Sequence, residues 1–205
     1  MVIAAGCDRS DRGALPGDTV GVISPGTDSD VSPSPAISAD PDAVGSRTCG
    51  VTGATGLTEE GIGELRPGRT VEEVKALCDV TSDAQQRGAE GMMERVIVVR
   101  MAGEVIPVTV TDNKVWRIEL DTPRFRTADS LGVDTPLRRI AGNPGAQFAP
   151  GEDGIYGFVP DHCGLSFRFS LPLRPPAGGQ WTAKSIGAAH PDAAVNRVLV
   201  TRCAR

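Results

Sequence analysis

The residues best placed to do chemistry are Asp161-His162-Cys163, where a thiol sits beside an imidazole. That is the pair a nucleophilic cysteine needs. In an extended segment, however, adjacent side chains point to opposite faces, so His162 cannot activate Cys163 directly. A disulfide-bonded Cys163 beside a surface histidine is the expectation. An enzyme would have to gather His162 or His190, Asp161 and one arginine in a cleft under the loop 172–191. Ser166, in Gly164-Leu165-Ser166-Phe167-Arg168, lacks the second glycine of a nucleophile elbow and reads as a strand residue. Glu59, Glu60, Glu64, Glu72 and Glu73 crowd one region. A glycosidase would need two of them converging in a cleft, whereas a helix cap and a solvated helix face account for all five. The densest basic stretch holds Arg117, Arg124, Arg126, Arg138 and Arg139. Within it, Arg124-Phe125-Arg126 is the candidate partner contact, an arginine/aromatic hot spot. Its alternative is a linker whose arginines pair with Asp121 and Asp129. The balance favours a protein that is not an enzyme, with no catalytic residue assigned.

Two further patterns test for cofactors and metals. Gly50-Val51-Thr52-Gly53-Ala54-Thr55-Gly56 resembles the opening of a short-chain dehydrogenase. That loop needs an apolar strand before it and a third glycine where a helix meets the pyrophosphate. Here Gly45-Ser46-Arg47-Thr48-Cys49 precedes it, and Glu59 takes the third glycine's place. The only tyrosine, Tyr156, is followed four residues later by Pro160 rather than the lysine of that family. No cofactor is expected. No C-x-x-C or H-x-x-x-H pair offers a zinc site either, and no metal is expected.

The start of the chain speaks of location. Ala4-Ala5-Gly6-Cys7 resembles the small-small-Cys signal of a bacterial lipoprotein, which implies lipid attached to Cys7. Residues 1–7 are thus read as a residual signal segment. Residues 8–47 hold seven Asp and three Arg, a net of −4 out of the chain's −5, with no aromatic residue. Such a segment cannot offset its ordering entropy by burial, so it reads as a disordered Pro/Ser/Asp-rich tether. The remainder, 48–205, is nearly neutral, which argues against a nucleic-acid partner. No run approaches the roughly 18–20 apolar residues of a membrane span, so membrane contact is expected through a lipid anchor only. With Cys7 lipidated, four of the five cysteines remain, enough for two disulfides in an oxidising compartment. Three pairings are possible. The positions favour Cys163 with Cys203, both in strand-like segments, and Cys49 with Cys78, tying the domain's start to its first helix.

The elements that position these residues are expected as follows. Thr70-Val71-Glu72-Glu73 fits a capping box, and Val71, Val74, Leu77 and Cys78 form one apolar face behind it. A shorter helical turn is expected in Leu57–Gly63. Arg95–Arg100 reads as a strand buried on both faces. Val105–Val110 is expected at an edge or bulge because of Pro107. Val115–Leu120 alternates, with Trp116, Ile118 and Leu120 inward. Asp134-Thr135-Pro136-Leu137 opens a second helix, and Leu137 and Ile140 follow Val71 and Val74 at a period of 66 residues. Strands are expected at Ile155–Val159, Gly164–Ser170 and Arg197–Arg202. The Pro/Gly-rich stretch Pro172–Pro191 is either a binding loop or a disordered insertion. The expected fold is α+β, two tandem helix-plus-antiparallel-meander units (57–126 and 127–205) sharing a layered core. Its rival is a single α+β sheet in which the apparent repeat is chance.

Leu65-Arg66-Pro67-Gly68-Arg69-Thr70-Val71-Glu72-Glu73-Val74 resembles the Gly-x-Thr-x-x-Glu-Val helix start of two related groups. These are the small outer-membrane lipoproteins of the β-barrel assembly machinery and the β-lactamase inhibitor proteins. The resemblance implies an extracytoplasmic protein-binding scaffold of tandem helix-plus-sheet repeats without catalytic residues. The resulting expectation is a lipid-anchored binding or structural module of the cell envelope, periplasmic or at the cell surface, whose partner is an unidentified envelope protein.

Overall fold

The helix signal at Thr70 is satisfied locally. In the computed structural model, which describes residues 47–88, 91–175 and 179–203, α1 runs Val71–Leu77 behind a complete capping box. The Thr70 hydroxyl accepts from the Glu73 amide, and the Glu73 carboxylate accepts from the Thr70 amide at 2.8 Å. Val71 and Val74 are buried, and the helix stops after two turns at Cys78, already extended. The chain then enters β1 (Asp79–Arg87), β2 (Met93–Met101), β3 (Glu104–Thr111) and β4 (Lys114–Leu120). After an irregular stretch come α2 (Leu137–Ala141), β5 (Gln147–Pro150), β6 (Ile155–Phe158), a 3-10 turn (Pro160–His162) and β7 (Leu165–Phe169). Then α3 (Ala183–Ala189) leads into β8 (Arg197–Thr201).

All eight strands form one sheet in the order β1-β2-β3-β4-β8-β7-β6-β5, antiparallel throughout. This corrects the expected pair of helix-plus-meander units. The fold is sheet-dominated, with three short helices. The physical reason is the β4–β8 ladder, Arg117↔Thr201 to Leu120↔Val198, which hydrogen-bonds the last strand onto the first meander. The expected units have no separate cores. A single cluster runs from Val71 and Ile97 through Ile118 and Val200 to Phe167, Phe169 and Ile155.

Alternation decides which face is buried. Ile97 and Val99 on β2, Ile106 and Val108 on β3, Ile118 and Leu120 on β4, Val198 and Val200 on β8, and Phe167 and Phe169 on β7 are all buried. Helix residues Val71, Val74, Leu137, Ile140 and Ile186 belong to the same core. α2 lies close against the sheet at Gly157, where a Cβ would stand 3.0 Å from the side chains of Ile140 and Phe148. Most intervening positions of β2, β4, β7 and β8 are half-exposed, while Thr109 is buried and Arg100, Val105 and Phe158 are exposed.

Several local expectations are corrected with it. β2 is not buried on both sides: only its Ile97, Val99 and Met101 positions are sealed. β3 is interior and not an edge, with Pro107 just outside the Val108–Thr111 run paired with β4; the other expected feature, a bulge, stands close by, where the β3–β4 register shifts between Thr109 and Val110. Trp116 is 54% exposed rather than inward, because the β3–β4 register shifts at Val110 and the bulge re-aims it. Leu57–Gly63 forms tight bridges, Thr58↔Gly61 and Ile62↔Leu65, in place of a helical turn. α2 begins after Pro136 with no side-chain cap from Asp134. The stretch Pro172–Pro191 contains α3, anchored by buried Ile186 and capped by Thr182 and Ser185.

Cys49 is bonded to Cys78 and Cys163 to Cys203, with Cα–Cα distances of 4.2 and 5.3 Å. The first ties the chain's entry to the end of α1. The second ties the 3-10 turn before β7 to the end of β8. Cys7 and the tether 8–46 lie outside the described residues.

Candidate functional site

The face of the sheet opposite the core defines the candidate site. Across it lie Glu94, Val96 and Val98 of β2, Pro107 and Thr109 of β3, Arg117 and Glu119 of β4, Arg197 and Leu199 of β8, Arg168 of β7 and Tyr156 of β6. These alternate with the buried positions. A cleft of about 300 Å³ occupies its centre. Thr109, Arg117, Glu119 and Leu199 form its floor, and its walls are Gln86–Gly88 at the end of β1 and Glu152–Asp153 before β6. Residues from opposite ends of the strand order meet in one cavity, so the sheet coils and the open face is concave.

The charges on the cleft floor are paired. Arg117 donates to Glu119 Oε1 at 3.1 Å and lies 3.6 Å from Glu94 Oε2. Arg197 donates to the other Glu119 oxygen, Oε2, also at 3.1 Å. Glu119 therefore bridges β4 and β8 with an arginine on each oxygen. On the neighbouring strands the Tyr156 hydroxyl donates to Asp153 Oδ1 at 2.6 Å, and Arg168 Nε lies 2.9 Å from the same oxygen. Burial and the hydrogen bond to Asp153 push the Tyr156 phenol up to about 12. For Asp153, burial acts upward. The hydrogen bonds from Tyr156 and Arg168 outweigh it and leave the carboxyl below its ordinary value.

Among the carboxyls of this arrangement whose pKa shifts, none is raised. A general acid at neutral pH needs a carboxyl raised toward 7, whereas Asp153 is lowered. The volume stands at the bottom of the roughly 300–1,000 Å³ range of small-molecule pockets, which are predominantly apolar. Only Val96, Pro107 and Leu199 supply purely apolar lining. The described residues contain no cluster of three His, Cys, Asp or Glu able to hold a metal.

The sequence candidates are placed elsewhere. Phe125 is 2% exposed and belongs to the core. Arg126 donates to the carbonyls of Ser130 and Val133, at 3.2 and 2.7 Å. Arg124 alone of the trio is exposed, so the expected partner contact Arg124-Phe125-Arg126 is corrected to a structural corner. His162 is brought to Asp129, Nε2 to Oδ1 at 3.0 Å, and not to Asp161, which is exposed. His190 follows α3 as its C-cap. Among the described residues no hydrogen bond or ion pair joins His162, His190 and Asp161 under the 172–191 loop. Cys163 and Cys203, Cys49 and Cys78 stand in their two bridges. Glu60, Glu64, Glu72 and Glu73 are engaged with Arg66, Arg69, Asn113 and Thr70.

Sequence reasoning missed Glu94, Glu119, Arg197, Tyr156 and Asp153. The available signal was alternation: Arg117 and Glu119 occupy the polar positions of Val115–Leu120, and Arg197 opens Arg197-Val198-Leu199-Val200.

Fold and site define a disulfide-bonded, sheet-dominated protein of the extracytoplasmic type, with one sealed and one open face. Two disulfides fit an oxidising compartment, and no helix among the described residues is long and apolar enough to cross a membrane. No protein-family description matches the chain, and no curated protein is similar to it in sequence. Among solved structures it is similar to the uncharacterized protein yfeY from Escherichia coli. The match has a TM-score of 0.50 and 16% identity over 72% of this chain and 100% of that one. The likeness is one of fold alone.

Proposed function

We propose that this chain is a non-catalytic protein-binding module of the bacterial envelope, held to the membrane by lipid on Cys7, which meets its partner with the open face of the sheet. The observation that carries the reading is the asymmetry of the sheet. One face is sealed by helices and apolar side chains. Among the described residues no element lies over the other from β2 to β6, and Arg117, Glu119 and Arg197 pair with one another at its concave centre. Pre-paired charges lower the desolvation cost of docking and fix register more than they add affinity. The exposed apolar residue Phe158 of β6 adds an aromatic anchor. Ala4-Ala5-Gly6-Cys7, the acidic tether and the two disulfides support the envelope location.

The test is photo-crosslinking in cells. A benzoylphenylalanine at Leu199, on the cleft floor, should give one discrete adduct, and the same group at Lys184, exposed on α3, should give none. Equal adducts at both positions, or none at either, would sink the open-face reading. Cys7→Ser should move the protein from the membrane to the soluble fraction. Unchanged partitioning would remove the anchor.

A further inference from the structure

We propose that β1 takes up an extended segment of the partner protein as a ninth strand, running antiparallel, with an acidic residue of that segment opposite Arg87. The inference rests on reading the chain as a protein-binding module, and it uses the edge of the sheet, whose Arg87 also stands in the wall of the open-face cleft. The two edges are built differently. β5, the far edge, has four residues and ends at Pro150, which has no N–H to offer. Shortness and proline are the usual ways of blunting an edge. β1 has nine residues and contains neither proline nor lysine. Its register shifts between Val80 and Ser82, and from Ser82 to Arg87 it then pairs with β2 residue for residue. Those six residues are exposed. The isolated bridge Thr48↔Cys78 stops short of them, and β1 has a strand neighbour on one side only.

An open row of alternating N–H and C=O groups selects its own occupant, because another extended chain is what matches that spacing. The side chains along the edge then narrow the sequence. Asp83 is neutralised by Arg95, with contacts of 2.8 Å to each oxygen, and by Lys75 at 2.7 Å. Gln85 and Gln86 carry no charge, and Ala84 leaves room for a bulky residue opposite. Arg87 is exposed and has no ion-pair partner among the described residues. The edge therefore presents one free cation, at its C-terminal end. An antiparallel strand enters at that end with its own N-terminus, so the acidic residue comes first, followed by β-branched residues.

The probes are two fluorescein-labelled peptides, Glu-Val-Thr-Val-Thr-Val and Lys-Val-Thr-Val-Thr-Val, titrated into the full chain by anisotropy and followed by amide hydrogen exchange. The glutamate peptide should saturate about threefold more tightly, the size of one cross-strand charge pair. It should slow exchange in Ser82–Arg87. Arg87→Glu should invert the preference, and Ala84→Pro should abolish binding. A proline can also unravel the edge, so the exposed Arg87→Glu substitution is the deciding variant. An unchanged preference in that variant, no binding, or protection mapping outside β1 overturns the proposal. So does a peptide-free dimer that Ala84→Pro disperses, since the occupant would then be a second copy. Binding at β1 with no crosslink at Leu199 would retain the edge and remove the open face; the opposite pattern would do the reverse.

Discussion

Removing the two disulfides separately should rank them by packing and not by loop length. In the chain-entropy description, separations of 29 and 40 residues correspond to about 3.6 kcal/mol for Cys49–Cys78 and about 3.9 kcal/mol for Cys163–Cys203. Loop closure alone therefore places the second bridge slightly ahead. Burial reverses that order. Cys49 and Cys78 are completely buried in the core, whereas Cys163 and Cys203 are half-buried. Replacing each buried cysteine by alanine vacates roughly 30 Å³, which costs about 0.7 kcal/mol if the space stays open. The Cys49→Ala/Cys78→Ala double variant should thus lose about 5 kcal/mol and the Cys163→Ala/Cys203→Ala variant about 4. The assay is urea unfolding by circular dichroism in oxidising buffer, with equal m-values as the check that both variants unfold from a comparable native state. A Cys163/Cys203 variant that proved the less stable of the two would refute the packing reasoning. Each single alanine should cost nearly as much as its double, because one bridge is lost either way. Additive single losses would refute the pairing itself.

Two further outcomes follow from buried and paired groups. Phe125→Ala should cost about 3–5 kcal/mol by opening a core cavity, while Arg124→Ala, exposed next to it, should stay within about 0.5 kcal/mol; similar urea midpoints for the two would show that Phe125 is not core. Asp83 lies well below the ordinary carboxylate range because Arg95 and Lys75 donate to it against a smaller upward push from burial. A carboxyl lowered in the folded state contributes stability that is complete above its unfolded value near 3.9 and is lost as pH falls through the folded one. With these side chains a quarter to nearly half exposed, about 1–2 kcal/mol should disappear from the wild type on acidification below pH ~4. In Asp83→Asn that part of the pH dependence should be missing, and parallel stability curves for the two proteins would contradict it.

What was legible in the chain is what local chemistry determines. Thr70 and Glu73 cap α1 through contacts three residues apart, and β-branched runs mark β2, β3 and β4. β1 was invisible because an edge strand exposed on both faces has no need of apolar alternation. Asp79–Arg87 is a strand because β2 pairs with it. Trp116 was assigned inward because alternation assumes an unbroken register, and the bulge opposite Val110 breaks it. Phe125 looked like a surface anchor because flanking arginines mark hot spots, yet the Arg126 guanidinium turns back onto carbonyls and Phe125 fills the core.

The apparent 66-residue recurrence misled for a related reason. Two capped apolar pairs recur in the sequence, but a fold is set by where strands find partners, and β4 finds β8 across a separation that no local pattern encodes. The Glu119–Arg197 contact spans 78 residues, and the cleft takes its walls from strand ends even further apart in the sheet order. A site assembled by strand pairing exists only once the register is known. Register also makes it vulnerable in a particular way: a one-residue slip of β8 against β4 would send Arg197 and Leu199 into the core and Val198 and Val200 out of it, and would part Arg197 from Glu119. The sealed face therefore specifies the open one. The apolar residues that stabilise the fold hold three charged side chains in the positions where they meet, without touching them.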